Sequence, residues 1–455
     1  MKRFFLPFLF ILAIGAHGQD TARSAFTGTS LPVGQILPAT AQCVAKPADP
    51  YFARFCPTPA PRPAGLLLRP GDRLAICGDS ITEQRMYSRI IETYLTVCLP
   101  ELDVTVRQYG WSGETAPGFL ARMTDDCLRF HPTIATTCYG MNDHGYRAYQ
   151  SDIGECYRDA YTAIVRAFKT AGARVVLGSP GCVGQIPPWV AKDLPATADD
   201  MNLSLCELRN IDVVIARQEN VAFADIFWPM LTASFAARQL HGSDYTVAGK
   251  DGVHPDWAGH TVMAYAFLTA LGVDGEIGTI IVDLQSDRTM VSSGHELLRS
   301  RKGEVQIRSH RYPFCAGEGD PAKDNSIRSG MTLMPFNQDL NRLLLVVQGG
   351  TAKNYRVTWE AGSRIYSAEQ LEQGVNLAAD FAVNPFSEAF ARVDAAVAAK
   401  QEYETRQVKQ MFHGEAGKAD MEGTVARTEA ERAPLAAAIR AAFVPVTHTI
   451  RIEAQ

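Results

Sequence analysis

Residues 74–82 have the sequence Leu74-Ala75-Ile76-Cys77-Gly78-Asp79-Ser80-Ile81-Thr82, a short apolar run followed by a turn and then by a helical pattern. A short apolar run bounded by a glycine is typical of a buried strand. On a turn between such a strand and a helix, a serine hydroxyl is lifted away from the backbone, and the helix N-terminus offers free N–H donors. The turn therefore predicts a nucleophilic Ser80, although Gly, Asp and Ser are also ordinary turn residues.

Three further polar blocks lie at the ends of later apolar runs or on loops beside them. They are Gly110-Trp111-Ser112-Gly113, Gly140-Met141-Asn142-Asp143 and Asp251-Gly252-Val253-His254-Pro255. In an open α/β sheet, ligands bind at the C-terminal ends of the strands. The blocks supply an imidazole, a carboxylate three residues before it, a backbone N–H and an Asn amide. With a serine hydroxyl, these are the groups that acyl transfer requires.

Short apolar runs alternate with helical patterns from residue 65 to residue 275. Strands are predicted at Leu74–Cys77, Val104–Val106, Ile134–Tyr139, Arg174–Gly178 and Val221–Ile226. Helices are predicted near residues 83–96, 115–129, 151–171 and 199–218, and from about Asp256 to Leu271. The alternation predicts an α/β fold of three layers, α/β/α, around a mostly parallel five-stranded sheet.

The four blocks resemble those of the SGNH (GDSL-type) esterases and acyl hydrolases, in the same order and over roughly residues 65–272. The resemblance implies a flavodoxin-like fold and a carboxylic ester hydrolase that uses no metal and no organic cofactor. One residue departs from the family pattern, because Gln108 stands where the second block often begins with Asn.

The resemblance also implies the site residues. Ser80 would attack the ester, His254 would act as its base, and Asp251 would orient the imidazole. The oxyanion hole would consist of the Ser80 and Gly110 backbone N–H groups and the Asn142 side-chain amide.

Other polar or aromatic residues near these blocks are given structural roles. Asp79 and Asp143 are expected to stabilise turns, and Trp111 either lines an acyl pocket or packs. His144, His241 and His260 are expected in polar loops or on helix surfaces.

The first 18 residues have the pattern of a secretory signal peptide. Lys2 and Arg3 precede an apolar core, Phe4–Ile14, and Ala16-His17-Gly18 is a small-x-small cleavage site. We therefore expect export to the periplasm or the extracellular space after cleavage near Gly18, with an uncleaved anchor as the alternative. No later run has membrane-spanning length, so no transmembrane segment is expected in the mature chain. Residues 19–64 are rich in Pro, Ala and Thr and predict an extended N-terminal arm.

The composition bears on nucleic-acid binding and on which cysteines form disulfides. The net charge is −5 with no basic cluster, which argues against a nucleic-acid partner. Ten cysteines in an exported chain make disulfides plausible, with Cys43 and Cys56 as the expected local pair. Cys77 and Cys138 lie within predicted strands and are expected as free buried thiols. No Cys/His spacing resembles a zinc site.

The pattern changes from residue 276 onward. Residues 276–365 predict a small antiparallel sheet or sandwich with strands at Ile280–Leu284, Val305–Arg308, Leu343–Val347 and Tyr355–Trp359, and no helix between the first three. Residues 366–443 are predicted helical, and residues 444–453 form a final strand that returns to the β-rich part.

Two features mark the predicted helical part. A capping box at Ser367 and Gln370 opens it. After Pro385 a longer helix has Phe386, Phe390, Val393 and Val397 on one core-facing side, followed by a solvated stretch at Gln401, Glu402, Glu404 and Arg406. Two roles are open for residues 366–443: a cap over the active site, or a scaffold or dimer surface, and the second is the preferred interpretation.

These observations predict an exported serine esterase. The family resemblance alone implies its substrate, a small acyl group such as acetyl on a carbohydrate or similar small-molecule ester. A lysophospholipase or lipase, an acyltransferase that uses the same serine, and a polysaccharide-binding protein stay open as alternatives. The natural alcohol, the acyl length and the oligomeric state stay open as well.

Overall fold

The computed structural model describes residues 43–190 and 196–455. Its central sheet has five parallel strands in the order β2-β1-β3-β4-β5. They are β1 (Arg73–Gly78), β2 (Thr105–Gln108), β3 (Ile134–Cys138), β4 (Arg174–Gly178) and β5 (Ala222–Ala224). These are the five strands that the apolar runs predict, with small displacements at their ends.

Seven helices accompany this sheet. They are α1 (Ser80–Glu83), α2 (Tyr87–Cys98), α3 (Ala116–Asp126), α4 (Ser151–Thr170), α5 (Ala198–Glu219), α6 (Phe227–His241) and α7 (Trp257–Ala270). Over the described residues, no helix is long and apolar enough to cross a membrane.

The side chains of β1 alternate between two apolar cores, because successive residues of a strand face opposite sides of the sheet. Leu74 and Ile76 join one core with residues of α2 and α7, and Ala75 and Cys77 join the other with residues of α3 and α4. The predicted three-layer α/β/α fold is therefore confirmed. Cys77 and Cys138 are buried free thiols, as expected.

Helix α6 is absent from the sequence-based prediction. Its apolar residues are not confined to one face, so it lacks the amphipathic period by which helices are recognised. It also contains Pro229, in its first turn. Proline has no N–H group, but it is tolerated there because the N–H groups of a first helical turn have no acceptor within the helix.

The described part of the N-terminal segment packs on the α/β/α domain. Cys43 and Cys56 form a disulfide, as the sequence predicts. Between them, Phe52 and Phe55 are buried, and the Phe52 ring lies 5.6 Å from that of Trp228 on α6. The predicted signal peptide and the rest of the predicted arm, residues 1–42, lie outside the described residues.

Two further sheets follow α7. One has the order β13-β10-β6-β7, and the other has the order β12-β11-β14-β9-β8. Their strands are β6 (Glu276–Asp283), β7 (Arg288–Val291), β8 (His295–Arg301), β9 (Glu304–Ser309), β10 (Arg342–Gln348), β11 (Asn354–Trp359), β12 (Gly362–Ser367), β13 (Val375–Asn376) and β14 (Val446–Ala454).

The first of these sheets is mixed, which corrects the prediction of purely antiparallel pairing. Strands β6 and β10 are parallel neighbours. Parallel neighbours need a long crossover connection. Part of that connection is helical, because it contains α8 (Ile327–Leu333) and α9 (Phe336–Asp339). The sequence predicted no helix in this stretch.

The C-terminal helices are α10 (Ala368–Gln373), α11 (Leu377–Asp380), α12 (Ser387–Arg406), α13 (Glu415–Ala419) and α14 (Met421–Ala442), with a π-helical turn at Gln407–Phe412. Ser367 and Gln370 form the predicted capping box. The predicted apolar face of α12 is buried. Strand β14 then pairs with both β9 and β11, so the helices are an excursion from the sheet, as predicted.

The stretch at the end of α12 is not uniformly solvated, which corrects a second expectation. Glu402 and Arg406 are exposed, but Gln401 and Glu404 are fully buried. Gln401 hydrogen-bonds to Ser88 and Glu92 of α2. Glu404 faces β2, the edge strand of the central sheet, whose Gln108 N–H is donated to Glu404 Oε2 at 3.2 Å. An edge strand presents unpaired backbone groups, and here the polar side chains of α12 satisfy them.

A buried cation completes this contact. Lys400 Nζ lies 2.9 Å from a carboxylate oxygen of Glu92 and 2.9 Å from one of Glu404, and it donates to Val106 O at 2.5 Å. Arg432 of α14 also pairs with Glu404, at 2.6 Å. Burial alone would raise the pKa of Glu404, but Lys400 and Arg432 outweigh it and lower that pKa.

We expect Glu404→Gln to destabilise the fold by about 3–5 kcal/mol, because it leaves Arg432 and Lys400 with less compensation in a dry interior. Urea unfolding of the full chain measures this. The matched control, Glu402→Gln two residues away on the exposed side, should change the unfolding free energy by less than about 0.5 kcal/mol. Equal effects of the two substitutions would contradict the assigned contact.

Candidate active site

Ser80 is the first residue of α1 and directly follows the strand–helix turn. The Asp79 side chain caps this helix by accepting the Ile81 N–H at 2.9 Å. Gly78 is required at the turn, because a Cβ there would lie 2.1 Å from Thr82 Oγ1 and 2.8 Å from the carbonyl oxygen of Cys138. The sheet and the cap together place the Ser80 hydroxyl at the C-terminal edge of β1.

The imidazole of His254 lies against this hydroxyl. His254 Nε2 is 2.8 Å from Ser80 Oγ, across a separation of 174 positions in the chain. His254 Nδ1 is 2.8 Å from Asp251 Oδ2. The structure thus brings together the three side chains that the sequence selected as nucleophile, base and orienting carboxylate.

Asp251 is itself fixed by backbone donors. Its Oδ1 accepts the N–H groups of Val253 and His254, each at 2.9 Å. Partial burial acts to raise its pKa, but these backbone donors and the imidazole outweigh burial and lower it. Gly252 has a φ of +88°, and a Cβ there would lie 2.4 Å from the carbonyl oxygen of Gln185. The loop geometry therefore requires glycine at this position.

Asn142, after β3, is held by two hydrogen bonds. Its Nδ2 donates to Glu114 O at 2.9 Å, and its Oδ1 accepts from the Tyr146 hydroxyl at 3.1 Å. A side-chain amide has two N–H donors. The second Asn142 N–H therefore stays available to a ligand, as the oxyanion-hole expectation requires.

The backbone N–H of Gly110, which the sequence places in the oxyanion hole, has an acceptor within the chain. This N–H is donated to the Oε1 of Gln108, the residue that departs from the family pattern. A Cβ on Gly110 would lie 2.2 Å from the backbone nitrogen of Glu83, so glycine is needed here for packing against α1. The Gly110 N–H has one hydrogen, and in this structure Gln108 holds it.

A donor that the sequence reasoning missed lies three residues later. Gly113 is at the exposed tip of a turn closed by the Glu114 N–H and the carbonyl oxygen of Trp111, 3.1 Å apart. Its φ is +76°, and its N–H has no acceptor within the part of the chain that the structure describes. Asn142 binds the carbonyl of the neighbouring Glu114. The block Gly110-Trp111-Ser112-Gly113 contains two glycines, and only the three-dimensional contacts show which of their N–H groups is free to bind a ligand.

Two buried carboxylates near Ser80 are structural. Asp143 accepts the N–H groups of Gly140 at 2.9 Å and Ala116 at 2.8 Å, and so ties the third block to the start of α3. Burial raises the pKa of Asp143 to about 6 and that of Asp79 to about 7, although backbone N–H donors oppose the shift in both. Both residues support turns, as the sequence reasoning expected.

Two histidines are deeply buried, which corrects their expected surface positions. The His144 Nδ1 contacts Met141 O at 2.5 Å. The His260 Nε2 lies 3.1 Å from Gln84 Oε1, and its Nδ1 accepts the Tyr87 N–H at 3.3 Å. Burial lowers the pKa of His144 to about 4 and that of His260 to about 3. His241, in contrast, is partly exposed and stacks on Tyr245.

An aromatic wall stands next to His254 and was not anticipated. The Trp189 ring centroid lies 5.5 Å from that of His254 and 6.0 Å from that of Tyr146. Trp189 is nevertheless 49% exposed. Trp111, in contrast, has cations or an imidazole around its ring, which favours the packing interpretation of that residue.

No group of three or more His, Cys, Asp or Glu residues suited to a metal ion occurs within residues 43–190 and 196–455. The expectation that the reaction uses no metal or cofactor stays a prediction.

The α/β/α fold, together with the family and relative that the chain matches, supports a carboxylic ester hydrolase. Residues 76–262 match the model of the GDSL-like Lipase/Acylhydrolase family, so the chain contains a GDSL-like domain over these residues. An acetylxylan esterase of Geobacillus stearothermophilus is 25% identical over a 223-residue alignment, and the match covers 45% of this chain and 95% of that protein.

Solved structures extend the likeness in fold. A gut microbial diltiazem-metabolizing enzyme superposes with a TM-score of 0.70 at 20% identity, covering 86% of this chain and 100% of that one. A likeness of that extent includes much of the C-terminal part. The crystal structure of an acetylxylan esterase from Geobacillus stearothermophilus gives a TM-score of 0.38 at 21% identity, over 46% of this chain and 97% of that one.

The buried Asp79 carboxyl predicts a pH-dependent stability difference. Its folded pKa is about 7, whereas in the unfolded chain an Asp pKa is about 3.9. The stabilisation from this raised pKa is complete below the unfolded pKa and is lost as the pH rises through the folded one. Asp79→Asn, which is neutral at every pH, should therefore gain about 2–3 kcal/mol relative to wild type between pH 5 and pH 8.

Chemical unfolding of both proteins at the two pH values measures this gain. Asp125→Asn is the control, because the Asp125 side chain is 71% exposed and should show no such gain. If the difference in unfolding free energy between Asp79→Asn and wild type were the same at pH 5 and pH 8, it would contradict a buried, protonated Asp79 carboxyl.

Proposed function

We propose that the protein is a serine esterase whose nucleophile is Ser80. The observation that carries the proposal is the continuous chain of contacts from Ser80 Oγ through both nitrogens of His254 to Asp251, with both contacts at 2.8 Å. Asp251 accepts the Nδ1–H, which leaves the lone pair of Nε2 facing the serine hydroxyl.

In this mechanism Ser80 Oγ attacks the ester carbonyl carbon while His254 Nε2 takes the hydroxyl proton. The tetrahedral intermediate collapses, and the imidazolium returns the proton to the leaving alcohol. Water then attacks the acyl carbonyl carbon while His254 Nε2 takes its proton, and the imidazolium returns that proton to Ser80 Oγ as the acid leaves. Asp251 holds one tautomer throughout and stabilises the charged imidazole.

The oxyanion hole consists, in our proposal, of the N–H groups of Ser80 and Gly113 and the free amide hydrogen of Asn142. The Ser80 N–H opens a helix and so has no intrahelical acceptor. Gly113 replaces Gly110 in the set, because the Gly110 N–H is donated to Gln108. Removing one such donor typically costs about 3–4 kcal/mol of transition-state stabilisation.

The substrates that we propose are small acyl esters, acetyl above all, of ring-bearing alcohols such as sugars. The similarity to an acetylxylan esterase supports the acyl group and the alcohol. The aromatic wall supports the ring: His254 gives its proton to the leaving alcohol, so the exposed Trp189 beside it lies on the alcohol side. An exposed indole offers an apolar face to a sugar ring.

We also propose that the protein is exported. The predicted signal peptide supports this, and so does the Cys43–Cys56 disulfide, because disulfides persist in oxidising compartments.

Ser80→Ala should abolish hydrolysis of p-nitrophenyl acetate, and Asn142→Ala should lower kcat by about 10²–10³-fold. Initial rates on p-nitrophenyl esters of graded chain length provide the readout. A preference for long chains would favour the lipase alternative, and transfer of acetyl to an added sugar alcohol would favour the acyltransferase. Full activity of Ser80→Ala would refute the mechanism.

Trp189→Ala should raise KM for acetylated xylo-oligosaccharides by about 3- to 10-fold, the factor that corresponds to one lost aromatic contact. Ethyl acetate, whose alcohol has no ring, is the control substrate and should show an unchanged kcat/KM. An equal loss on both substrates would remove the argument for a ring-binding wall.

A further inference from the structure

The Trp111–Glu114 turn carries the proposed donor Gly113 and lies outside the helices and strands. A turn without regular structure is positioned by its side-chain contacts. Both ends of this turn are connected to the segment 409–413, which precedes α13 in the C-terminal helical part.

We propose that Lys409 is a positioning residue that holds the Trp111–Glu114 turn against α1, so that the C-terminal helical part belongs to the working active site. The proposal rests on the esterase mechanism above. It assigns the helical part a role distinct from both expectations, a cap and a scaffold.

Glu83 connects the two sides. It is the last residue of α1, the helix that Ser80 begins, and its carboxylate accepts the Ser112 N–H. Lys409 Nζ lies 2.7 Å from Glu83 Oε1 and 2.8 Å from Oε2. The pair is about three-quarters buried, with 26% of the Lys409 side chain and 22% of the Glu83 side chain exposed. Without the ammonium group, the Glu83 carboxylate would gain by turning toward water and releasing Ser112.

The same ammonium group contacts the first residue of the turn. Lys409 Nζ lies 5.3 Å from the centroid of the Trp111 ring, and the guanidinium of Arg122 lies 5.0 Å from it. Cations over an indole face are attracted by the ring quadrupole. The Trp111 side chain is therefore held by one cation of the α/β/α domain and one of the C-terminal part.

The far end of the turn has a parallel connection. Arg122 donates to both carboxylate oxygens of Glu114, each at 2.6 Å, and to Asp126 at 3.1 Å. His413 Nε2 reaches the same Asp126 at 2.8 Å. Gly113 lies between two anchored residues, Ser112 and Glu114, and both anchors lead to segment 409–413.

A donor displaced by about 1 Å can cost up to about 10²-fold in rate. We therefore expect Lys409→Met, in the full chain, to lower kcat on p-nitrophenyl acetate by about 10-fold or more with little change in KM, because the oxyanion contact forms only in the transition state. Lys409→Arg keeps the cation and should recover most of the rate. The control is Lys418→Met, since Lys418 is exposed on α13 and should leave kcat unchanged.

A double-mutant cycle with Glu83→Gln separates positioning from general destabilisation. If Lys409 acts through Glu83, then Lys409→Met should add little to the kcat loss already caused by Glu83→Gln. The same kcat loss in both backgrounds would overturn the proposal, as would a kcat for Lys409→Met within twofold of wild type. An unfolding midpoint measured for each variant shows that the kinetic comparison is made on folded protein.

Failure of the esterase mechanism has a different signature. If the mechanism is wrong, Ser80→Ala retains activity, whatever Lys409→Met does. If only the positioning inference is wrong, Ser80→Ala is inactive while Lys409→Met behaves like Lys418→Met.

Discussion

The contact between Ser80 Oγ and His254 Nε2 depends on a property of parallel sheets, namely that their strands all end at one edge. Each of β1, β2 and β3 delivers a loop to that edge, and the loop before α7 delivers His254 to the same place. Once the five strands have their order, the distance of 174 positions along the chain no longer separates the reacting groups. The strands do not determine the orientation of each loop, which depends on carboxylates that accept backbone N–H groups, such as Asp79, Asp143 and Asp251.

The free edge of the sheet creates the second constraint. Strand β2 has no neighbour on one side, and α12 covers that side with a buried set of charges around Lys400 and Glu404. Unpaired backbone groups at a sheet edge invite pairing with other chains. Covering them with charged side chains is costly unless every charge has a partner, and here Glu92 and Arg432 supply the partners. The C-terminal part is thus bound to the central sheet by groups that cannot be separated cheaply.

The sequence predicted what is local in this structure. Apolar runs located all five strands of the central sheet. The polar blocks and the family resemblance selected Ser80, Asn142, Asp251 and His254 as candidates, and the structure places Ser80, Asp251 and His254 in contact. The prediction failed where tertiary contacts decide. Helix α6 has no amphipathic period, and Glu404 looks like a solvated residue until β2 is placed against it. The parallel pairing of β6 with β10 depends on a crossover that no short pattern reveals. Gly110 and Gly113 are both glycines of the second polar block, so the sequence does not distinguish their N–H groups. The structure does, because the Gly110 N–H is donated to Gln108. Trp189 and Lys409 reach the site from segments that carry no motif.

The position of β14 has a consequence for how the chain acquires its structure. The β8–β9 and β11–β12 pairs are each contiguous hairpins, and among the described strands β14 is the one that bridges them. Without residues 446–454 the pairing would leave two separate two-stranded ribbons, and such units are marginally stable in water. Between β12 and β14 the chain runs through β13 of the other sheet and through the helices α10 to α14. The helix that covers the edge of β2 and the segment that carries Lys409 therefore lie in an excursion whose return strand, β14, is held in place by both β9 and β11.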